Sequence, residues 1–100
     1  MSGKKSKATS DSIELTRVYH ERYLRAVNSP LRRKILRVLK DGPASIEELL
    51  SKTGFENEVL RWHLNMLEHG FCVEKKADAK KLLYEITQEG RVVDYMEQLE

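Results

Sequence analysis

Residues 45–69 read SIEELLSKTGFENEVLRWHLNMLEH, and the reading of the whole chain works outward from them. Ser45 followed three residues later by Glu48 forms a capping box, in which each side chain satisfies an otherwise orphaned backbone N–H of the other residue. The box predicts a short helix over 46–52 that turns Ile46, Leu49 and Leu50 inward. Thr53-Gly54-Phe55 reads as a tight turn. Leu60, Leu64 and Leu67 then recur at i, i+4 and i+7, the spacing of one helix face. They predict a second helix over 57–69, with His63 beside them and Glu58, Arg61, Trp62 and Asn65 on the opposite face.

Upstream, apolar residues from Ile13 to Val27 follow a helical period, but on a stripe wider than one core-facing side requires. The helix predicted over 12–28 therefore packs on its own domain and on something else, most simply a second copy of the chain. Ser29 reads as an N-cap and Pro30 as the first helical position, where a missing N–H costs nothing. Leu31, Ile35, Leu36, Val38 and Leu39 carry that helix to about Lys40, and Asp41-Gly42-Pro43 stops it. Downstream, residues 71–76 and 82–87 are β-compatible and are joined by polar residues 77–81, which predicts a hairpin. Thr87 can cap a last helix over 88–99 with an apolar stripe of Val92, Val93, Met96 and Leu99.

The order helix, helix, short helix, turn, helix, hairpin, helix is that of a winged helix-turn-helix. The expected fold is thus mainly α with a small β-hairpin (α+β): a three-helix core, a wing at about 71–87, and terminal helices available for dimerisation. The helix-turn-helix occupies 46–69 within one domain over 12–100. Residues 1–11, rich in lysine, serine and threonine, are expected to form a flexible basic tail.

Bulk properties narrow the function. One hundred residues suffice for one modest core. No apolar run approaches the roughly 20 residues that span a bilayer, and no secretory signal is evident; the expected location is the cytoplasm, with no membrane partner. The single cysteine, Cys72, has no partner for an internal disulfide or a thiolate metal site. The formal net charge of +2 hides an asymmetry: residues 1–40 carry +8 and residues 41–100 carry −6, which suits a polyanionic partner or the association of unlike surfaces. There is no phosphate-cradling glycine motif, nucleophile elbow or metal-ligand cluster, so an enzyme is not expected, and neither a cofactor nor a metal.

Several of these stretches resemble a known family. Ser29-Pro30-Leu31-Arg32 through Ile35-Leu36, Ser45-Ile46-Glu47-Glu48-Leu49, Thr53-Gly54-Phe55 and Arg61-Trp62-His63-Leu64 resemble the ArsR-type winged-helix regulators. Tyr84-Glu85-Ile86-Thr87-Gln88-Glu89-Gly90-Arg91 is similar to the wing exit of MarR- and PadR-type relatives. The resemblance implies a homodimer on pseudo-palindromic double-stranded DNA, with terminal-helix contacts here assigned to Leu15, Val18, Tyr19, Val92, Met96 and Leu99. Two features depart from the pattern. The step from His63 to Gly70 is one residue short, and the cysteine motif of the family's metal sensors is missing around 46–50, which argues against arsenic, zinc or cadmium sensing.

On this reading the helix over 57–69 enters the major groove, and Asn57, Glu58, Arg61, Trp62 and Asn65 read bases. Arginine can pair bidentately with guanine and asparagine with adenine, each pair contributing about 1–3 kcal/mol of discrimination, and a glutamate can accept from a cytosine amino group. Trp62 is available to a thymine methyl or a sugar edge. Arg32, Arg33 and Lys34, in the first turn of a proline-started helix, are candidate phosphate contacts. Lys75, Lys76, Lys80 and Lys81 are candidate wing contacts to backbone or minor groove. His63 is expected to pack on the helix core with its ring bonded to backbone, and Cys72 to serve as a small apolar residue. The expected function is sequence-specific transcription regulation; a protein-interaction module and a nonspecific DNA-packaging protein are the alternatives. The operator and any small-molecule effector are not legible.

Overall fold

The computed structural model describes residues 13–95. The expected basic tail and the residues Met96 and Leu99 lie outside the described residues. Four helices, α1 (Ile13–Val27), α2 (Pro30–Leu39), α3 (Ile46–Thr53) and α4 (Asn57–His69), precede a hairpin of β1 (Val73–Asp78) and β2 (Lys81–Ile86), and a 3-10 turn follows at Glu89–Val92.

Three helix boundaries have the local causes foreseen. Ser29 Oγ accepts from the Arg32 N–H ahead of Pro30. Both halves of the Ser45/Glu48 capping box form, at 2.8 and 3.2 Å. Gly54 ends α3 in the left-handed conformation at φ 74°, where a side chain would be strained. Ile35, Leu36 and Leu39 of α2, Leu49 of α3, Leu60, Leu64 and Leu67 of α4, and Cys72, Val73 and Val93 close one core. Leu31, read with the α2 apolar set, is instead exposed.

The end of α4 has an unusual division of labour. The left-handed residue is Phe71, at φ 67°, and it completes a Schellman cap: its N–H donates to the Glu68 carbonyl and that of Cys72 to the Leu67 carbonyl. Gly70, one position earlier, serves packing. A Cβ there would lie 2.5 Å from the Ala26 Cβ and 2.7 Å from the Arg22 carbonyl oxygen, so the missing side chain is what lets α1 cross α4 closely.

The hairpin starts and ends differently from the expectation. β1 runs to Asp78, which pairs with Lys81, so the connection is only Ala79 and Lys80, and Ala79 takes a positive φ of 57°. At the other end, Ala44 exchanges two main-chain hydrogen bonds with Tyr84, at 2.8 and 3.0 Å. The residue preceding the N-cap of α3 is thereby joined to the wing. Beyond β2, Thr87 Oγ1 accepts from the Gly90 N–H as a cap, but the first turn is 3-10 rather than α. A Cβ on Gly90 would meet the Cys72 carbonyl oxygen at 2.3 Å, so this turn packs directly on the main chain preceding the hairpin.

Candidate nucleic-acid interface

α4 buries Leu60, His63, Leu64 and Leu67 and leaves Asn57, Glu58, Arg61, Trp62 and Asn65 exposed. The five sequence-selected residues therefore share the solvent side of one helix. Arg61 Nε donates to Asn57 Oδ1 one turn back, which orients both groups outward. Trp62 is 56% exposed, a large aromatic surface to leave in water.

An open cleft of about 650 Å³ separates Arg61 of this helix from Lys80, Lys81 and Leu82 of the wing, with Ser45, Ile46, Glu47 and Glu48 at the start of α3 completing its lining. Its acidic wall is partly engaged, because the Ser45 main-chain N–H bonds the Glu48 carboxylate and holds its pKa below the ordinary value. The wing lysines divide in two groups. Lys75 and Lys76 lie 3.9 and 3.7 Å from Glu68 and Glu85, while Lys80 and Lys81 occupy the tip, all four exposed.

The structure corrects the assignment of Arg32 and Arg33 as phosphate contacts. Both are buried. A helix leaves its last four carbonyls without intrahelical donors, and α1 is followed after only two residues by α2, with no glycine cap. Asn28 N–H takes the Leu24 carbonyl, Arg32 Nη2 and Nε take those of Arg25 and Ala26 at 2.8 and 3.0 Å, and Arg33 Nη1 takes that of Val27 at 2.9 Å. The two guanidinium groups cap the negative end of α1, where a cation is favoured. Lys34 alone of the three stays exposed, with Nζ bonded to the Thr53 carbonyl and set over the Phe55 ring.

His63, expected to bond to backbone, has a side-chain partner instead. Its Nδ1 lies 3.2 Å from Arg32 Nη1, which requires the neutral ring with Nδ1 as acceptor, since arginine can only donate. Burial first, and then the Arg32 cation, lower its pKa from the ordinary 6.5. Cys72 is buried, and burial pushes its thiol up to about 12, which leaves it without thiolate character at neutral pH. Among the described residues no helix is long and apolar enough to cross a membrane, and no group of three or more His, Cys, Asp or Glu is placed to hold a metal ion.

On α1, Leu15 is exposed and Val18 and Tyr19 are half-buried, whereas Val92 packs partly on the chain's own core. Tyr19 meets Phe71 edge to face at 5.3 Å. Sequence reasoning did not single out Phe71; a bulky residue directly after a helix-ending glycine was the only available signal.

No family model matches the chain, and neither does any curated protein. Solved structures do. The homodimeric winged helix-turn-helix DNA-binding domain of a possible ArsR-family transcriptional regulator from Mycobacterium bovis superposes with a TM-score of 0.78 at 23% identity, over 99% of this chain and 89% of that one. The fold is a winged helix-turn-helix. HlyU from Vibrio cholerae (TM-score 0.70, 24% identity, 87% and 97% covered) and the transcriptional repressor BigR from Xylella fastidiosa (0.69, 22%, 91% and 95%) share it. In winged helix-turn-helix terms, α3 and α4 are the two helices of the motif and the β1–β2 hairpin is the wing.

Proposed function

We propose that this chain is a cytoplasmic, sequence-specific regulator of transcription that binds double-stranded DNA as a homodimer. One observation carries the reading: Asn57, Glu58, Arg61, Trp62 and Asn65 occupy the solvent face of α4, which stands across an open cleft from a wing tipped by Lys80 and Lys81. A helix with its side chains, about 10–12 Å across, fits the major groove. Lys34, Lys75, Lys76, Lys80 and Lys81 supply phosphate contacts that fix register without reading sequence. The likeness to a homodimeric DNA-binding domain supports dimerisation, through Leu15, Val18 and Tyr19 together with the C-terminal segment that holds Val92, Met96 and Leu99.

The test is titration of fluorescent duplexes, one selected from a random pool and one unrelated, at several salt concentrations. Wild-type affinity is expected to fall steeply with salt through counterion release. Arg61→Ala should weaken the selected duplex more than the unrelated one, by roughly 5- to 150-fold for a contact of about 1–3 kcal/mol. Lys80→Ala should weaken both alike and reduce the salt slope by about 0.9. A folded wild-type protein that binds no duplex at low salt would overturn the proposal and favour a protein-interaction module.

A further inference from the structure

Trp62 projects from the recognition face, yet its underside is not free. The Arg32 guanidinium carbon sits 5.6 Å from the centre of its ring, and the His63 ring meets it edge-on at 5.0 Å. Arg32 is itself fixed from three directions, by the Arg25 and Ala26 carbonyls of α1 and by His63 Nδ1 of α4. A single buried cation thus touches the end of α1, a core residue of α4 and the one aromatic ring on the face of α4. A planar guanidinium can stack on a ring and donate in its own plane at once, which a lysine ammonium cannot.

Resting on the reading of α4 as the DNA-reading helix, we infer that Arg32 is a positioning residue that locks Trp62 as a rigid apolar specificity contact and ties its placement to α1. A side chain locked before binding loses little rotamer freedom on binding, so its contact discriminates between sites rather than adapting to all of them. Arg61 and Asn65 supply hydrogen-bonding groups on the same face, and Trp62 supplies the fixed shape against which a thymine methyl or sugar edge fits or fails to fit. Because Arg32 also caps α1, the proposed dimer-forming helix and the reading residue share one anchor.

Trp62 is the only tryptophan in the chain, so intrinsic fluorescence reports its surroundings directly. The experiment compares wild type with Arg32→Lys, which keeps the charge but not the planar fork, by two readouts: acrylamide quenching of the free protein, and the ratio of affinities for selected and unrelated duplexes. Quenching is expected to increase and the affinity ratio to fall by roughly fivefold to tenfold, with the salt slope unchanged because no phosphate contact is removed. A folded Arg32→Lys protein with wild-type quenching and a wild-type ratio overturns the inference. Should that variant lose its cooperative melt, time-resolved fluorescence anisotropy of the free wild-type protein decides instead: a Trp62 ring that turns only with the whole protein supports the lock, and a fast local decay overturns it. If wild type binds no duplex, the DNA reading fails and the specificity role fails with it, while quenching of the free proteins still decides whether Arg32 holds Trp62.

Discussion

Gly70→Ala separates packing from backbone propensity with unusual clarity. Gly70 has φ −94°, which any residue adopts, so on backbone grounds alanine should stabilise the chain by about 0.4–1 kcal/mol by restricting the unfolded state. The packing predicts the opposite sign. The new Cβ would stand 2.5 Å from the Ala26 Cβ and 2.7 Å from the Arg22 carbonyl oxygen, against an optimum of roughly 3.5–4.0 Å between carbons. The Ala26 Cβ is fixed directly to the α1 main chain and the Arg22 carbonyl is part of it, so neither can turn aside and α1 must move away from α4 by around an ångström. Overpacking of this kind costs about 1–3 kcal/mol, and for a domain of this size each 1 kcal/mol lowers Tm by roughly 4–8 °C. Thermal and urea unfolding followed by circular dichroism should show a Tm lowered by on the order of 5–20 °C with the urea m-value unchanged. Ala26→Gly in the same background should recover only part of the loss, because the Arg22 carbonyl remains in place. A Gly70→Ala protein as stable as wild type, or more stable, would refute the close-crossing argument.

Three further outcomes follow from other parts of the molecule. Ala79→Gly should stabilise by up to about 1 kcal/mol, since it removes a Cβ from a left-handed turn position; a raised Tm checks it. Cys72 should not react with a disulfide reagent such as Ellman's at pH 8 until the protein unfolds, because its thiol is buried and its pKa is raised to about 12; labelling as fast as in the urea-unfolded chain would contradict this. His63, with a pKa held below 6.5 in the fold, binds fewer protons folded than unfolded. Its contribution to stability is complete above about pH 6.5 and is lost progressively as pH falls from there to the folded-state value. The difference in urea midpoint between wild type and His63→Leu should therefore shrink on acidification over that window.

The helix-turn-helix was legible because its signals are local. Ser45, Glu48, Gly54 and the Leu60, Leu64, Leu67 spacing each act within a few residues, and the exposed face of α4 follows from the last of these. Arg32 and Arg33 were misplaced because a charge in a first helical turn looks like surface, whereas their role depends on where α1 ends in space. A clue was present: α1 stops at Val27 with no glycine cap and with two residues before the next helix, so its last carbonyls needed donors from elsewhere. The hairpin was shifted because its turn uses Ala79, which carries none of the composition signals of a positive φ. The left-handed Phe71 was hidden for the same reason.

The double hydrogen bond between Ala44 and Tyr84 bears on how such a molecule can diversify. It is made by main-chain atoms, so substitutions at either position other than proline leave the donors and acceptors in place. Everything beyond it, from Leu83 out to the Ala79–Lys80 turn and back to Lys76, projects as a lobe clamped at its root. Inserting or deleting paired residues at that turn would change the reach of the lobe while the start of α3 stays where it is. A descendant protein could thus change how far its wing extends by altering hairpin length alone, with α3 and α4 left in place.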